Sequence, residues 1–290
     1  MDRFEGNPIL EPLKQHPWES RYVFNPAVIQ LGGRVHIFYR AMGEDKISRI
    51  GYASSKDGYQ IDERLPNPIF KPDGPDEKYG CEDPRLTCLE GKCIMTYTAY
   101  GDIYQIGITS IPVENILEKR WEWGERLFPF PSIKNKNAVI FPRKIDGRYV
   151  MLHRLDPEIH IAYSDDLRNW DNSRTVMRPR KSFWDCLKIG AAGPPIELDE
   201  GWLLIYHGVD DKRTYRLGTA IFDREDPEKL IFRSKAPILE PNEEYECSGL
   251  VPNVVFSCGS ILRGGELLIY YGCADTVIGV ATYALNEIIV

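Results

Sequence analysis

Apolar and polar residues alternate in short runs along this chain, and the runs come in sets. Asn25 to Leu31 alternates as a strand with one face turned inward, Gly32-Gly33 supplies a turn, and Arg34 to Arg40 (RVHIFYR) reads as a β-branched and aromatic second strand. A third strand over Ile50 to Ser54 ends at the turn Lys56-Asp57-Gly58. Matching third strands occur at Tyr104 to Ile108, Ile159 to Tyr163, Leu217 to Ile221 and Ile278 to Thr282. Each set opens on a similar tetrad: Asn25-Pro26-Ala27-Val28, Asp83-Pro84-Arg85-Leu86, Asn137-Ala138-Val139-Ile140, Gly193-Pro194-Pro195-Ile196 and Asn253-Val254-Val255-Phe256. The first residues of the tetrads lie 58, 54, 56 and 60 positions apart. A repeat of that length made of strands and tight turns has the dimensions of a propeller blade. The pattern therefore predicts an all-β fold, a five-bladed β-propeller, as one domain over residues 1–290.

A second echo, Asn7-Pro8-Ile9-Leu10, Asn67-Pro68-Ile69-Phe70 and Ala236-Pro237-Ile238-Leu239, precedes several sets. Its N-terminal copy is expected to supply the outer strand of the last blade, which would hide an open sheet edge. Helix is expected only in short pieces, chiefly Val113 to Lys119, with a turn at Asp223 to Pro227.

A propeller aims the same position of every blade at one central pocket, so the repeat nominates two rings of residues. Asn25, Asp83, Asn137, Gly193 and Asn253 open the blades; Arg40, Thr98, Arg154, the His207-Gly208 pair and Tyr271-Gly272 end the second strands, six or seven residues beyond the turn glycines Gly33, Gly91, Gly147, Gly201 and Gly265. Arg40 and Arg154 end otherwise apolar strands (HIFYR and VMLHR), a costly place for a cation unless it meets a buried partner or a polar cavity. Two such residues at equivalent positions, with His153, His207 and Lys188 near them in the scheme, point to an anion pocket. Only one carboxylate, Asp83, stands in the blade-opening ring. Inverting glycosidases ordinarily use two, one as acid and one to activate water. One acid facing a set of cations fits a reaction whose nucleophile arrives as an anion, and phosphate would need no base. Taken alone, Cys81-Glu82-Asp83-Pro84-Arg85 is also an ordinary turn with a Glu82–Arg85 surface pair.

Net charge of −7 argues against nucleic acid or an acidic membrane surface as partner. The seven cysteines are odd in number and scattered, with no close pair beyond Cys88 and Cys93, so neither a disulfide framework nor a zinc site is expected. With no apolar leader after Met1-Asp2-Arg3-Phe4 and no window long enough to span a bilayer, the expected location is cytoplasmic.

The residues at these positions resemble glycoside hydrolase family 130, the five-bladed β-mannoside phosphorylases and their hydrolytic relatives, over essentially the whole length. The resemblance is carried by Asn25-Pro26-Ala27, Phe38-Tyr39-Arg40-Ala41, Glu82-Asp83-Pro84-Arg85, Lys136 to Pro142, His153-Arg154, Lys188-Ile189-Gly190, Tyr206-His207-Gly208, Tyr215 to Gly218 and Tyr271 to Asp275. It implies that Asp83 is the general acid, protonating the glycosidic oxygen through the 3-hydroxyl of the bound mannose, and that Asn25, Arg40 and Asp275 hold that sugar. It assigns Lys136, Asn137, Arg154, Lys188, His207 and Tyr215 to phosphate, with Lys136 standing where many members carry Arg. It implies no metal and no organic cofactor, with inorganic phosphate as co-substrate and an oligosaccharide as the other small-molecule partner. A homo-oligomer is compatible with it. The basic set favours a phosphorylase: a β-mannoside plus phosphate gives α-mannose 1-phosphate and a shortened acceptor, with inversion. The compact chain places it nearer the shorter members, which act on β-1,2-mannobiose and β-1,2-oligomannan or on β-1,4-mannosyl linkages, and of these the β-1,2 group is favoured. His207 beside phosphate is expected to favour its protonated form.

Alternatives are a phosphorylase of β-1,4-mannosyl-N-acetylglucosamine or β-1,4-mannooligosaccharides, a β-mannosidase of the same fold, and an arabinanase-like hydrolase, which would need three inward carboxylates. From another class comes a catalytically silent glycan- or protein-binding propeller. Trp184 and Tyr245 are read either as acceptor platforms or as packing.

Overall fold

The computed structural model describes residues 1–288, and strands make up nearly all of its regular structure. Each sequence repeat forms its own antiparallel group. The first contains Tyr22–Leu31, Arg34–Met42 and Ser48–Ser55, edged by Glu63–Arg64. The second contains Gly80–Leu89, Lys92–Tyr100 and Tyr104–Pro112, with Leu127 bridged to Ile108 at its edge. The third runs through Lys136–Ile140, Tyr149–Leu155, Glu158–Ser164 and Asp171–Met177. In the fourth, Gly193-Pro194-Pro195 splits the first strand into Lys188–Ala191 and Ile196–Leu198, because proline has no N–H for the ladder. Both pieces pair with Gly201–Val209, which is followed by Tyr215–Phe222 and Leu230–Arg233. The fifth contains Val255–Arg263, Glu266–Cys273 and Val277–Ala284. Helix is confined to short pieces, including Val113–Leu117 within the stretch expected from the sequence.

The N-terminus closes the fifth group, as the echo predicts, but the ladder is made by Asp2–Arg3 against Thr282 and Ala281. The echo residues make a second contact: Leu10, Phe70 and Leu239 bridge the third strands at Ile278, Ile50 and Leu217. Each group also bonds to the next. Ser48 bridges Gly80, Thr87 Oγ1 donates to the Ile140 carbonyl at 2.7 Å, and Ile189 N donates to the Pro157 carbonyl at 3.1 Å. Tyr215 bridges Val254, and Val23 N donates to the Thr276 carbonyl at 3.1 Å. The last contact brings the fifth group back onto the first.

Asn25, Asp83, Asn137 and Asn253 all have left-handed backbone, with φ of 49°, 49°, 58° and 59°. Register breaks between Phe24 and Ala27, and between Glu82 and Arg85, mark bulges at the first two. Asn and Asp tolerate this conformation better than most residues. Part of the repeated Asn/Asp signal is therefore a backbone requirement, and Gly193, outside the left-handed region, escapes it.

A second repeat lies behind the first. Tyr39, Tyr97, Tyr206 and Tyr271 each stand opposite a third-strand glycine: Gly51, Gly107, Gly218 and Gly279. Their hydroxyls donate to the fully buried carboxylates Glu19, Glu77, Asp185 and Glu246 at 2.8, 2.5, 2.8 and 2.9 Å. Arg64, Arg126, Arg233 and Arg3, from the outer edge of each group, pair with the same carboxylates. A buried carboxylate is tolerable only when so satisfied. Tyr97→Phe should therefore lower stability by about 1–3 kcal/mol in urea unfolding while leaving the substrate KM values unchanged.

One expectation is corrected here. Cys88 and Cys93, directly opposite across the second group's hairpin, are disulfide-bonded. The two are the one close pair in the sequence, and the hairpin turn between them sets their side chains opposite each other. Cys81, Cys186, Cys247, Cys258 and Cys273 are free.

Candidate functional site

The strand ends that carry the two rings converge on a cavity of about 130 Å³, lined by Asn25, Arg40, Asp83, Lys136, Asn137, Arg154, Tyr215, Val251, Val254, Phe256 and Asp275. Eight of the ten residues nominated from the sequence are among these. His207 lies behind the wall, and Lys188 lines an adjoining concavity that shares Tyr215 and Val251.

One wall is acidic. Asp83 Oδ1 accepts from Asn25 Nδ2 at 2.8 Å and from Arg40 Nη1 at 3.1 Å. Arg40 Nη2 donates to Glu82 Oε1 at 2.6 Å, and its guanidinium lies 4.6 Å from the centre of the Phe24 ring. The Glu82–Arg85 surface pair is thus replaced by a Glu82–Arg40 pair in the site. Burial alone would push the Asp83 carboxyl up, but Arg40, Arg85, Lys136 and the Asn25 amide outweigh it and hold Asp83 below the usual carboxylate range. Burial pushes Glu82 up, with Asp83 adding to the shift and Arg40 opposing it. Asp275 is pushed up to about 7 by burial, against Arg40, with Asp83 and Glu82 adding repulsion. It sits with Ala274 in a tight turn whose residues have φ of 53° and 46°, closed by Thr276 N donating to the Cys273 carbonyl at 2.9 Å. Gly272 makes room beside this wall, since a Cβ there would stand 2.3 Å from Asn25 Oδ1.

The opposite wall is basic. Lys136 and Arg154 are register partners in the third group. Arg154 Nε approaches Asp156 Oδ1 to 2.7 Å, but the approach is not aligned as a hydrogen bond, and the buried Nε–H has no acceptor among the described residues. Burial followed by the Arg154 charge lowers Lys136, and the same two causes lower Lys188. Lys188 Nζ lies 5.6 Å from the centre of the Tyr215 ring.

Arg85, only 1% exposed, ties the two walls together. It donates to the carbonyls of Asp83 at 2.9 Å and Ala192 at 2.8 Å, and to Asn137 Oδ1 at 3.3 Å. With its oxygen turned to Arg85, the Asn137 amide presents Nδ2 to His207 Nε2 at 3.2 Å. Arg154 Nη1 also faces that nitrogen at 3.4 Å, so two donors fix Nε2 as an acceptor. The sequence signal for Arg85, a cation in an apolar strand, is the one that singles out Arg40 and Arg154, and the alternative of a surface pair with Glu82 is not what the fold adopts.

Several expectations change. His207 is held far below the ordinary imidazole range by burial and by Arg154, Arg85, Lys188 and Lys136, so it is neutral. His153 is not at the pocket, because its ring faces Asn135 on the other side of the strand. Asp83 is not the lone acid, since Glu82 and Asp275 stand on its wall. Trp184 stacks on Tyr206 with ring centres 5.4 Å apart, and Tyr245 packs in the hydrophobic core; neither lines the cavity. No helix among the described residues is long and apolar enough to cross a membrane.

Comparison with known proteins places these features in context. The family model for glycoside hydrolase 130, described as β-1,4-mannooligosaccharide phosphorylase, matches residues 1–290. A 1,2-β-oligomannan phosphorylase of a Thermoanaerobacter species is 42% identical over 99% of this chain and 98% of its own length. A β-1,2-mannobiose phosphorylase of the same organism is 45% identical over the same shares. The structure of the β-1,2-mannobiose phosphorylase from Listeria innocua with β-1,2-mannobiose superposes with a TM-score of 0.88 at 27% identity, covering 99% of this chain and 98% of that one.

Proposed function

Because the chain belongs to glycoside hydrolase family 130, we propose that it is a phosphorylase of β-1,2-mannosides, producing α-mannose 1-phosphate and a shortened acceptor. The five strand groups then act as blades of a single propeller domain, a reading supported by the bonds that run from each group to the next and from the fifth back to the first. The observation that carries the chemistry is the division of the cavity. Asp83 and Asp275 line one side with Arg40 and Glu82 bonded to Arg40 beside them, while Lys136, Asn137 and Arg154 line the other with Arg85 and His207 behind them.

In this reading mannose sits against the acidic wall, held by Asn25, Arg40 and Asp275. Asp83 supplies the proton to the departing glycosidic oxygen by way of the sugar's 3-hydroxyl. Phosphate sits against Lys136, Asn137, Arg154 and Tyr215, with Lys188 at the edge, and attacks the anomeric carbon from the opposite face, which inverts it. Lys136 contributes point charge and Arg154 a fork of donors. Preorganised charge on both sides of an oxocarbenium-like transition state supplies most of the rate. The reaction as proposed needs no metal or organic cofactor.

Asp83 must carry a proton to act, whereas its neighbours favour the ionised form. Bound phosphate brings negative charge beside Lys136, offsets that cation's stabilisation of the Asp83 carboxylate, and so raises the carboxyl's affinity for its proton. Acid strength is thereby matched to occupancy of the anion site.

The 42% and 45% identities to β-1,2-mannoside phosphorylases, against 32% to a β-1,4-mannooligosaccharide phosphorylase of Ruminococcus albus, favour the β-1,2 linkage. A hydrolase would need a carboxylate on the basic wall to activate water, and Lys136, Asn137, Arg154 and Tyr215 stand there. The test is turnover of β-1,2-mannobiose with and without inorganic phosphate. Rates are expected to saturate with phosphate and to vanish without it. Mannose release at a comparable rate in phosphate-free buffer would overturn the proposal.

A further inference from the structure

The tyrosine–carboxylate–arginine clasp occurs in four groups and is replaced in the third. There His153 takes the tyrosine's place and faces His160 where the others have glycine. Asn135 takes the place of the carboxylate, with Nδ2 2.9 Å and Oδ1 3.2 Å from His153 Nδ1. Ser173, on the outer strand where the other groups place arginine, puts its hydroxyl 3.0 Å from His153 Nε2 and 3.2 Å from His160 Nδ1. Every member has been exchanged, and the charges have gone with them.

The third group also carries the basic wall. Asn135 precedes Lys136, His153 precedes Arg154, and Lys136 and Arg154 pair across the ladder. The clasp therefore lies directly behind the cations, on the other face of the same strands. Asn135 and His153 are each 1% exposed. Side chains of adjacent strand residues point to opposite faces, placing a charge at Asn135 roughly 10 Å from an anion held by Lys136. At that distance in a medium of effective dielectric about 20, one unit charge changes anion affinity by an order of magnitude. A carboxylate here would repel the incoming anion and draw Lys136 and Arg154 back.

We propose that the neutral Asn135–His153 clasp is an electrostatic backing for the phosphate site, keeping fixed negative charge off the buried face behind Lys136 and Arg154 so that, apart from the half-exposed Asp156 at the strand end, these cations remain available to an anion. The proposal rests on the phosphorylase reading. Burial and His160 push the His153 imidazole down to about 3, so the clasp stays uncharged at neutral pH.

The experiment compares Asn135→Asp with the neutral Asn135→Ala, measuring KM for inorganic phosphate and for β-1,2-mannobiose together with thermal unfolding. Asn135→Asp is expected to raise the phosphate KM roughly tenfold, most strongly at low ionic strength, and to leave the mannobiose KM within about twofold. Asn135→Ala is expected to lose stability yet keep its phosphate KM within about threefold. A folded Asn135→Asp with unchanged phosphate KM would overturn the proposal. So would an Asn135→Ala as impaired toward phosphate as the aspartate, since shape would then matter and charge would not. If Asn135→Asp does not fold, Ser173→Asp, at the exposed member of the clasp 3.0 Å from His153 Nε2, takes its place: a raised phosphate KM at low ionic strength is expected, and an unchanged one would overturn the proposal. Failure of the phosphorylase reading is seen separately, as a wild-type rate that does not depend on phosphate.

Discussion

Asp83→Asn will abolish phosphorolysis, lowering kcat by about a thousandfold or more, while the protein remains folded. General acid catalysis is worth about 10²–10⁴-fold, and an amide cannot donate the required proton. The substitution is nearly isosteric. Asn25 Nδ2 and Arg40 Nη1 both donate to Oδ1, which an amide oxygen replaces, and Arg40 keeps its 2.6 Å bond to Glu82. Asparagine also accepts the left-handed φ of 49° at this position as readily as aspartate does. The loss is therefore chemical, and circular dichroism with thermal unfolding should show a native variant. A glycan-binding propeller without catalysis predicts no deficit. An Asp83→Asn enzyme with near wild-type kcat would remove Asp83 as the acid.

The second large effect is expected at Asp275, where stability and activity should move in opposite directions. Its carboxyl is pushed up to about 7, whereas an unfolded aspartate titrates near 3.9. Between those values the folded protein binds a proton that the unfolded chain has released, so stability falls as pH rises through this window and levels off above it. Three units correspond to about 4 kcal/mol, but the side chain borders the open cavity and solvent screens part of the charge. A cost of roughly 1–3 kcal/mol at pH 8 is a fairer expectation. Asp275→Asn removes that cost without straining the turn, because asparagine tolerates the φ of 53°. Urea unfolding should show the variant more stable than wild type at pH 8, with the difference fading toward pH 4. Its kcat/KM for β-1,2-mannobiose should fall at least a hundredfold, since the proposed hydrogen bond to the sugar and the positioning it gives would both be altered. A variant less stable than wild type at pH 8 would mean that Asp275 is stabilised as a carboxylate, against the present account.

Both effects trace to one arrangement. The proposed function requires three carboxyl groups to share the acidic wall, and the fold tolerates this because Arg40 is shared between Glu82 and Asp83 and because Asp275 can keep its proton. Stability comes from elsewhere, from the four satisfied clasps and the packed strands behind them. Sites of this kind are where local optimisation is given up for chemistry.

Much of this was legible in the chain itself. Arg40 and Arg154 each end a β-branched, apolar strand, and counting from the turn glycines brings them to the same inner position. Asn25, Asp83 and Asn137 follow from the tetrads in the same way, because a constant period carries equivalent residues to equivalent places. Group four shows where counting fails. Seven residues beyond Gly201 is Gly208, yet Tyr206 opposite Gly218 matches Tyr39 opposite Gly51, so His207 is the true counterpart of Arg40. A turn that differs by one residue shifts the count, and only the ladder reveals it.

What the tertiary structure alone decided is depth and company. Glu82 faces Arg40 instead of Arg85, Arg85 is buried across the centre, and His207 is neutral behind the wall instead of charged within it. The uncharged clasp of the third group joins residues 135, 153, 160 and 173, whose relation no spacing rule announces. Sequence periodicity sets which residues point inward, because strand geometry repeats. Protonation and pairing depend on desolvation and on charges contributed by distant strands, and these exist only once the chain has closed on itself.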